Sequence, residues 1–380
     1  MSKKIEFAHM LRGVAALSVL VAHYCSTFFV HHEGLAGLLQ VPPLAELPAP
    51  TGVVSLIGGY GTVLGQFGVG VFFIISGFVI PFSIRSGSRM SFMTRRALRI
   101  FPVYIAGFGA VIASIWVLTR YAGSDFGYTT PHILSHFGIL TRGVLGYGRI
   151  DGISWTLEVE LVFYIVMAAV GARVFARGAW GLVGAAIAVA ALSIASTLAL
   201  HHGLYNVVGN TGFQLWASIL LILGLAYHAL FTRQISSSSF LGVHAAVVTL
   251  SIAVWLCSDR TVYTWEWMAG YLVAMAVFAA GFLLHDRIRL IPGFNHLANI
   301  SYPLYVVHAL LGYAVMYWAI DNGLSAEAAI LLAIGAAYIL SVGLHLGVEK
   351  RFMRSTTGPV GPHVSRSIED RLPASASTAP

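Results

Sequence analysis

The feature that most constrains this chain is a recurring apolar run of about 20 residues, the length that a helix needs to cross a bilayer. Hydrophobic residues make up 57% of the 380 residues and charged residues only 10%, whereas a soluble domain carries roughly 25% charged residues. The sequence therefore predicts an all-α polytopic membrane protein with about ten transmembrane helices. The predicted spans are 7–30, 62–84, 100–119, 153–172, 179–200, 212–231, 239–257, 264–284, 300–320 and 325–347.

The positions of Lys and Arg predict how these helices are oriented. If the N-terminus is cytoplasmic, seventeen of these residues fall in cytoplasmic segments and four in extracytoplasmic ones. Cytoplasmic loops carry the excess of Lys and Arg, so both termini are predicted to be cytoplasmic. The net charge of +7 is spread over helix ends and forms no single basic face. A nucleic-acid partner is therefore not predicted, and the partner that surrounds the chain is the lipid bilayer.

The chain divides into two regions of different composition. Residues 1–350 hold every apolar run and form the predicted membrane domain. Residues 351–380 are rich in Ser, Thr, Pro and Ala, which predicts a disordered cytoplasmic tail. Two cysteines without a CxxC pair, and no His/Cys spacing suited to zinc, predict no metal site.

Two ionisable residues lie on one face of the first span. Arg12 and His23 are eleven residues apart, which corresponds to about three turns and a separation of about 16 Å along the helix. Arg12 is therefore predicted near the cytoplasmic end, with His23 above it. An ionisable side chain inside a membrane is expensive, so each is a candidate functional residue.

The fourth span carries two carboxylates, Glu158 and Glu160. Glu160 and His23 lie at matching depths, so a His–carboxylate pair is predicted. Such a pair suits general base catalysis, and it equally suits a structural ion pair between two helices. Glu158 and Glu160 differ by about 200° around the helix, so both cannot face one partner.

An arginine cluster precedes the third span. Arg95, Arg96 and Arg99 are three or four residues apart, so a helix would gather their guanidinium groups. Such a cluster matches phosphates through paired hydrogen bonds. The alternative is ordinary membrane topology, because cytoplasmic loops are basic and lipid headgroups also supply phosphates.

The ninth span places His308 near the predicted depth of Arg12, three residues beyond Tyr305. Two interpretations of His308 are open from its position alone. In the first interpretation His308 contacts a cofactor, and in the second it hydrogen bonds to a neighbouring helix.

Six segments, in this order along the chain, resemble the motifs of the acyltransferase 3 family of membrane O-acyltransferases. Together they extend over the whole membrane region. The segments are Arg12 to Leu17 followed by His23, Gly70 to Phe78, Arg99 to Tyr104, Ser154 to Glu160 followed by Phe163 and Tyr164, Ser301 to His308, and Glu349 with Lys350.

The resemblance implies a function and a set of site residues. Members of this family move an acyl group, usually acetyl, from cytoplasmic acyl-CoA to a hydroxyl of an extracytoplasmic carbohydrate such as exopolysaccharide or O-antigen. The family pattern implies that His23 is the catalytic base, that Arg12 is essential and that Glu160 is the matching glutamate. It assigns acetyl-CoA, the acyl donor, to a further set of residues. That set is Arg95, Arg96, Arg99, Tyr305 and His308.

The resemblance also implies a location in the bacterial inner membrane, and one departure from the family pattern is visible. At the position of Glu158 the family more often has a small residue, usually serine.

An alternative from another functional class is a glycolipid or polysaccharide transporter or flippase, in which the intramembrane charges couple to protons. A non-catalytic membrane scaffold is a third possibility, which predicts that His23→Ala has no effect.

Overall fold

The computed structural model describes residues 6–84, 88–201, 211–288 and 291–356, and all regular structure in these ranges is helical. Two π-helical turns, His23–Thr27 and His345–Glu349, continue membrane helices. The α-helices are α1 (Glu6–Ala22), α2 (Phe28–Val30), α3 (His32–Leu39), α4 (Gly52–Gly58), α5 (Gly61–Ile84), α6 (Arg89–Tyr121), α7 (Thr130–Phe137), α8 (Thr141–Val144), α9 (Ser154–Ala176), α10 (Gly178–His201), α11 (Thr211–Phe231), α12 (Ser237–Cys257), α13 (Trp265–Leu283), α14 (Pro292–Asp321), α15 (Ala326–Leu344) and α16 (Lys350–Thr356).

Ten helical stretches in the described part of the chain are long and apolar enough to cross a membrane. This confirms the predicted all-α polytopic architecture. The cytoplasmic orientation of the termini stays a prediction. The stretches are Glu6–Val30, Gly61–Ile84, Arg89–Tyr121, Ser154–Gly171, Gly178–Ala199, Thr211–Phe231, Ser237–Cys257, Trp265–Leu283, Pro292–Asp321 and Ala326–Met353.

Two helices begin well before the apolar runs that predict them. The third span is predicted over 100–119, but α6 begins at Arg89, where the Ser88 side chain accepts a hydrogen bond from the backbone N–H of Ser91 at 3.1 Å. The ninth is predicted over 300–320, but α14 begins at Pro292. An apolar run marks only the part of a helix that lies in hydrocarbon, and these helices continue beyond it as polar turns.

The predicted C-terminal tail is only partly covered. Helix α16 (Lys350–Thr356) occupies the first residues of the segment 351–380. Residues 357–380 lie outside the described part, so the division into a membrane domain and a tail stays a prediction.

Close glycine contacts hold the centre of the bundle together. Helix α5 packs against α1, α11 and α13. At its crossing with α11, a Cβ added to Gly77 would lie 2.9 Å from the Cα of Gly224. The two backbones approach so closely that only glycine fits, which is how helices gain packing contacts in a membrane.

Helix α14 connects this centre to the rest of the bundle, because it packs against α1, α6 and α15. Helix α9 contacts α5 and α6. The five helices that carry most of the sequence motifs, α1, α5, α6, α9 and α14, are therefore neighbours around one interior space.

Candidate active site

A cavity of about 170 Å³ lies between these five helices. Its wall combines apolar side chains with polar groups from several separate motifs. The polar and aromatic residues that line it are His9, Arg12, Phe72, Phe73, Ser76, Arg96, Arg99, Thr156, Glu160, Tyr164, Ser301, Tyr302 and Tyr305. Of the eight predicted site residues, five line this cavity, namely Arg12, Arg96, Arg99, Glu160 and Tyr305.

Three arginines from two helices form the basic wall of the cavity. Arg96 and Arg99 are three residues apart on α6 and so share one face, while Arg12 comes from α1 and donates a hydrogen bond from Nη2 to the Ser301 Oγ at 3.3 Å. The Arg96 guanidinium lies over the ring of Tyr164 at 5.5 Å and hydrogen bonds to the hydroxyl of Ser83.

Arg95 and Arg99, which belong with Arg96 to the predicted arginine cluster, differ in whether their guanidinium groups have partners. Arg95 lies outside the cavity wall, where it donates to the backbone carbonyl of Ser83 at 3.1 Å and hydrogen bonds to the Ser91 hydroxyl. Arg99 lines the cavity, and among the described residues its guanidinium has no hydrogen-bond or ion-pair partner. Arg99 is therefore free to bind an anion, whereas Arg95 already has partners.

Glu160 supplies the carboxylate of the cavity wall. It accepts a hydrogen bond from the Ser76 hydroxyl at 3.0 Å and another from the Tyr164 hydroxyl at 2.5 Å. It also interacts electrostatically with Arg12 and Arg96. Three arginines and one glutamate leave the wall with a net positive charge, so the cavity favours an anionic ligand.

His23 is not among the residues that line the cavity, and it is the first residue of the π-helical turn His23–Thr27. Such turns are rare and are frequent at functional sites. The Nδ1 of His23 is 2.5 Å from the hydroxyl oxygen of Tyr313 on α14. Since the partners of Glu160 are Ser76 and Tyr164, the described residues contain no hydrogen bond between His23 and Glu160, and their predicted catalytic pairing stays a prediction.

His308 lies next to His23. The two ring centroids are 4.8 Å apart, with the rings nearly perpendicular. The Nδ1 of His308 donates to the backbone carbonyl of Tyr305 at 2.8 Å, so its Nε2 carries the lone pair. That Nε2 is buried and has no hydrogen-bond partner among the described residues. His308 is therefore a contact of His23 and not part of the cavity lining.

Tyr305 links the two parts of the site. It lines the cavity, and its ring lies 5.5 Å from that of His308. Its hydroxyl accepts a hydrogen bond from the Thr156 side chain of α9 at 2.9 Å. Ser301, Tyr305 and His308 follow one another at helical spacing along α14, so one face of this helix leads from the arginine wall to His23.

The second carboxylate of α9, two residues before Glu160, belongs to a different network. Glu158 is buried and hydrogen bonds to Arg142, to Arg149 at 2.8 Å and to the side-chain amide of Gln214 at 2.8 Å. These arginines come from the segment between α6 and α9. The sequence predicts that Glu158 and Glu160 lie on different faces of α9, but it does not identify the partners of Glu158.

Sequence reasoning also missed Tyr313. It lies in an apolar stretch of α14 and belongs to none of the six motifs. Its position beside His23 depends on how α1 and α14 are rotated against each other. The sequence of α1 or of α14, taken alone, does not indicate how the two helices are rotated against each other.

The fold and the site together define a class: a multi-pass helical membrane protein with an internal arginine-lined cavity that Tyr305 connects to a pair of contacting histidines. A family model described as an acyltransferase domain, of the acyltransferase 3 family, matches residues 5–346. The chain therefore belongs to the acyltransferase 3 family, and the family predicted from the sequence motifs is confirmed.

Three curated bacterial proteins are similar to parts of this chain. Acyltransferase MdmB of Streptomyces mycarofaciens is 29% identical over 160 residues, which cover 41% of this chain and 36% of MdmB. Nodulation protein 10 of Rhizobium leguminosarum bv. viciae is 34% identical over 116 residues, 26% of this chain and 31% of that protein. Exopolysaccharide production protein ExoZ of Rhizobium meliloti (strain 1021) is 32% identical over 117 residues, 29% of this chain and 35% of ExoZ.

The matched region thus spans about a third of the length of each of these relatives. No solved structure matches the chain.

Proposed function

We propose that this protein is a membrane O-acyltransferase of the bacterial inner membrane. It moves an acetyl group from cytoplasmic acetyl-CoA to a hydroxyl of an extracytoplasmic carbohydrate. The observation that carries this proposal is an arginine-lined cavity that is connected to His23 through ring contacts of Tyr305 with His308 and of His308 with His23. The arginine-lined cavity suits the anionic donor, and His23 suits the removal of a hydroxyl proton.

The donor binds at the arginine wall. Guanidinium groups match phosphate oxygens through charge-assisted hydrogen bonds, and Arg99 has no competing partner among the described residues. A cavity of about 170 Å³ is smaller than the roughly 300 Å³ or more of a typical site for a drug-sized ligand. The cavity therefore takes only part of acetyl-CoA, with phosphates on the guanidinium groups of its wall and the pantetheine arm extending from there towards His23.

The chemistry takes place at His23. Its imidazole removes the proton from the acceptor hydroxyl, and the resulting oxygen attacks the thioester carbonyl. The new C–O bond forms, the C–S bond breaks, and the imidazolium returns its proton to the departing CoA sulfur. Only the acetyl group crosses to the acceptor, so the charged nucleotide never has to pass through hydrocarbon.

The role of Glu160 in this scheme is electrostatic. Its carboxylate balances part of the charge of Arg12 and Arg96. Ser76 and Tyr164 both donate to Oε1 of Glu160. For Glu160 to orient His23 directly, as the sequence predicts, its carboxylate would have to come within hydrogen-bond distance of the His23 ring during the reaction.

The relatives support a carbohydrate acceptor. ExoZ is a protein of exopolysaccharide production, which favours an exopolysaccharide as the acceptor of this chain. The three curated relatives come from bacteria, which supports the location in a bacterial membrane.

The test is acetyl transfer by the purified protein in nanodiscs, with acetyl-CoA labelled in the acetyl group and a bacterial exopolysaccharide stripped of its O-acetyl groups. His23→Ala is expected to lower kcat by about 10²- to 10⁴-fold, the usual contribution of a general base. Arg99→Ala is expected to raise KM for acetyl-CoA by roughly 10- to 100-fold, because a hydrogen bond to a charged group is lost.

Two variants serve as matched controls. His244→Ala removes a histidine from α12, where its ring packs against Tyr227 and Phe240 away from the cavity. Arg120→Ala removes an arginine from the opposite end of α6, where it lies over Trp116. Both are expected to keep wild-type rates within about two-fold. A folded wild type that binds no acetyl-CoA would overturn the proposal and favour the transporter.

A further inference from the structure

His23 needs a partner at Nδ1 if it is to act as a base at Nε2, and the structure provides one. The Nδ1 of His23 lies 2.5 Å from the hydroxyl oxygen of Tyr313. The two rings are nearly parallel, with an interplanar angle of 20° and centroids 5.9 Å apart. His23 is half-buried, whereas Tyr313 is only 2% exposed.

Tyr313 is held firmly in this position. Its ring packs against those of Phe28 at 5.8 Å and Tyr24 at 6.4 Å. The Tyr24 hydroxyl donates to the backbone carbonyl of His308 at 2.6 Å and occupies the space that a side chain at Gly312 would fill. A side chain locked by packing can fix the orientation of the group that it binds.

The direction of the hydrogen bond decides what His23 can do. If Nδ1 of His23 donates to the Tyr313 oxygen, Nε2 carries the lone pair and can accept a proton. If the Tyr313 hydroxyl donates to Nδ1 instead, Nε2 is protonated and cannot act as a base. The proposed reaction therefore requires Tyr313 to be the acceptor.

No other described group competes for this position. The carboxylate of Glu160 is hydrogen bonded to Ser76 and Tyr164, and the neighbouring His308 directs its Nδ1 to a backbone carbonyl. Within the described residues, Tyr313 is the one hydrogen-bond partner of the His23 side chain.

The geometry points to Tyr313 as the positioning residue that holds His23 in the tautomer with its proton on Nδ1. This inference rests on the proposed acyltransferase function and assigns to a tyrosine the task that a carboxylate performs in many catalytic histidine sites. During transfer the acceptor proton moves to Nε2 of His23 and then to the CoA sulfur. Tyr313 keeps its own proton throughout.

Two measurements on Tyr313→Phe test the inference. The kcat for acetyl transfer is expected to fall by about 10- to 100-fold, because a hydrogen bond to the developing imidazolium is lost, while KM for acetyl-CoA stays within about two-fold. The second measurement is ¹⁵N NMR of histidine-labelled protein, with the His23 signals identified by their absence in His23→Gln. Wild type is expected to show Nδ1 protonated, and Tyr313→Phe a shift towards Nε2 protonation.

Tyr317→Phe is the matched control. Tyr317 lies four residues further along α14, is also buried, and donates from its hydroxyl to the backbone carbonyl of Pro42 at 2.9 Å. The control removes a buried hydroxyl from the same helix without touching His23. It is expected to leave both kcat and the His23 tautomer unchanged.

Three results would overturn the inference. The first is a wild-type spectrum with neutral His23 protonated on Nε2, a result that does not depend on Tyr313→Phe and so holds even if that variant fails to fold. The second is a wild-type kcat in Tyr313→Phe. The third is a loss of kcat with an unchanged tautomer, which would mean that Tyr313 is only structural. In all three cases wild type still transfers acetyl, so the proposed function survives, whereas an inactive wild type overturns both.

Discussion

Replacing Glu158 by Ala is expected to destabilise the protein strongly, because Glu158 is the centre of a buried charge network. Its carboxylate binds Arg142, binds Arg149 at 2.8 Å and accepts from the Gln214 amide at 2.8 Å. The side chains of Glu158 and Arg142 are 11% and 9% exposed. The substitution thus leaves a buried guanidinium without its counter-charge.

The magnitude follows from the burial of each partner. Breaking a buried ion pair by removing one side costs about 3–5 kcal/mol, because the remaining charge is uncompensated. The Arg149 side chain is 27% exposed, so its pair with Glu158 adds at most about 1 kcal/mol. The total is about 3–6 kcal/mol. An unfolding entropy of about 2.1 cal/mol/K per residue gives about 0.8 kcal/mol/K for a chain of 380 residues, so Tm falls by roughly 4–8 °C.

Thermal unfolding in detergent, followed by fluorescence-detected size-exclusion chromatography, measures this change. Limited proteolysis then locates it, and new cleavage is expected between α6 and α9, where Arg142 and Arg149 lie. Glu33→Ala, which removes an exposed carboxylate from α3, is the control and is expected to leave Tm within about 1–2 °C. A Glu158→Ala protein with the Tm of wild type would refute the reasoning.

Two further predictions concern packing and pH. Gly77→Ala places a methyl group into the Leu221 carbonyl at the crossing with Gly224 and should cost about 1–3 kcal/mol or more. Gly109→Ala, which meets nothing within 4 Å, should leave Tm unchanged or raise it, and equal Tm losses in the two variants would contradict this account. Burial lowers the pKa of His136, outside the membrane spans, to about 4 from the ordinary 6.5. Unfolded chains therefore bind more protons between pH 6.5 and 4, so stability falls on acidification across this window. His136→Gln should flatten that dependence of Tm on pH, and an unchanged slope would argue against it.

The architecture of this protein can be predicted from its sequence because bilayer thickness sets the length of an apolar run. All ten predicted spans correspond to helices in the structure. The helix ends were less predictable. Helix α6 begins at Arg89, eleven residues before the predicted span, because its arginine-rich turns are polar and yet helical.

The cavity could be predicted in part. Spacing within single helices placed Arg96 and Arg99 on one face, and the motif resemblance added Arg12 and Glu160 to the same site. The structure brings these four side chains to one wall. Periodicity along one helix is enough for such a prediction, since it fixes which residues share a face.

Contacts between helices could not be predicted in the same way. His23 and Glu160 have matching depths in the sequence, but the described hydrogen bonds pair His23 with Tyr313 and Glu160 with Tyr164. Depth follows from counting residues within a span. Which faces meet depends on the rotation of each helix about its axis, and packing against all neighbours sets that rotation.

The most direct test of the central claim, that this protein passes an acetyl group across the bilayer, uses sealed proteoliposomes. Acetyl-CoA labelled in the acetyl group is enclosed inside, and exopolysaccharide stripped of O-acetyl groups is added outside. Wild type is expected to transfer label to the outside polysaccharide while CoA stays enclosed, and His23→Ala is expected to transfer none. Transfer by wild type only when donor and acceptor share one side, or no transfer at all, would contradict the account.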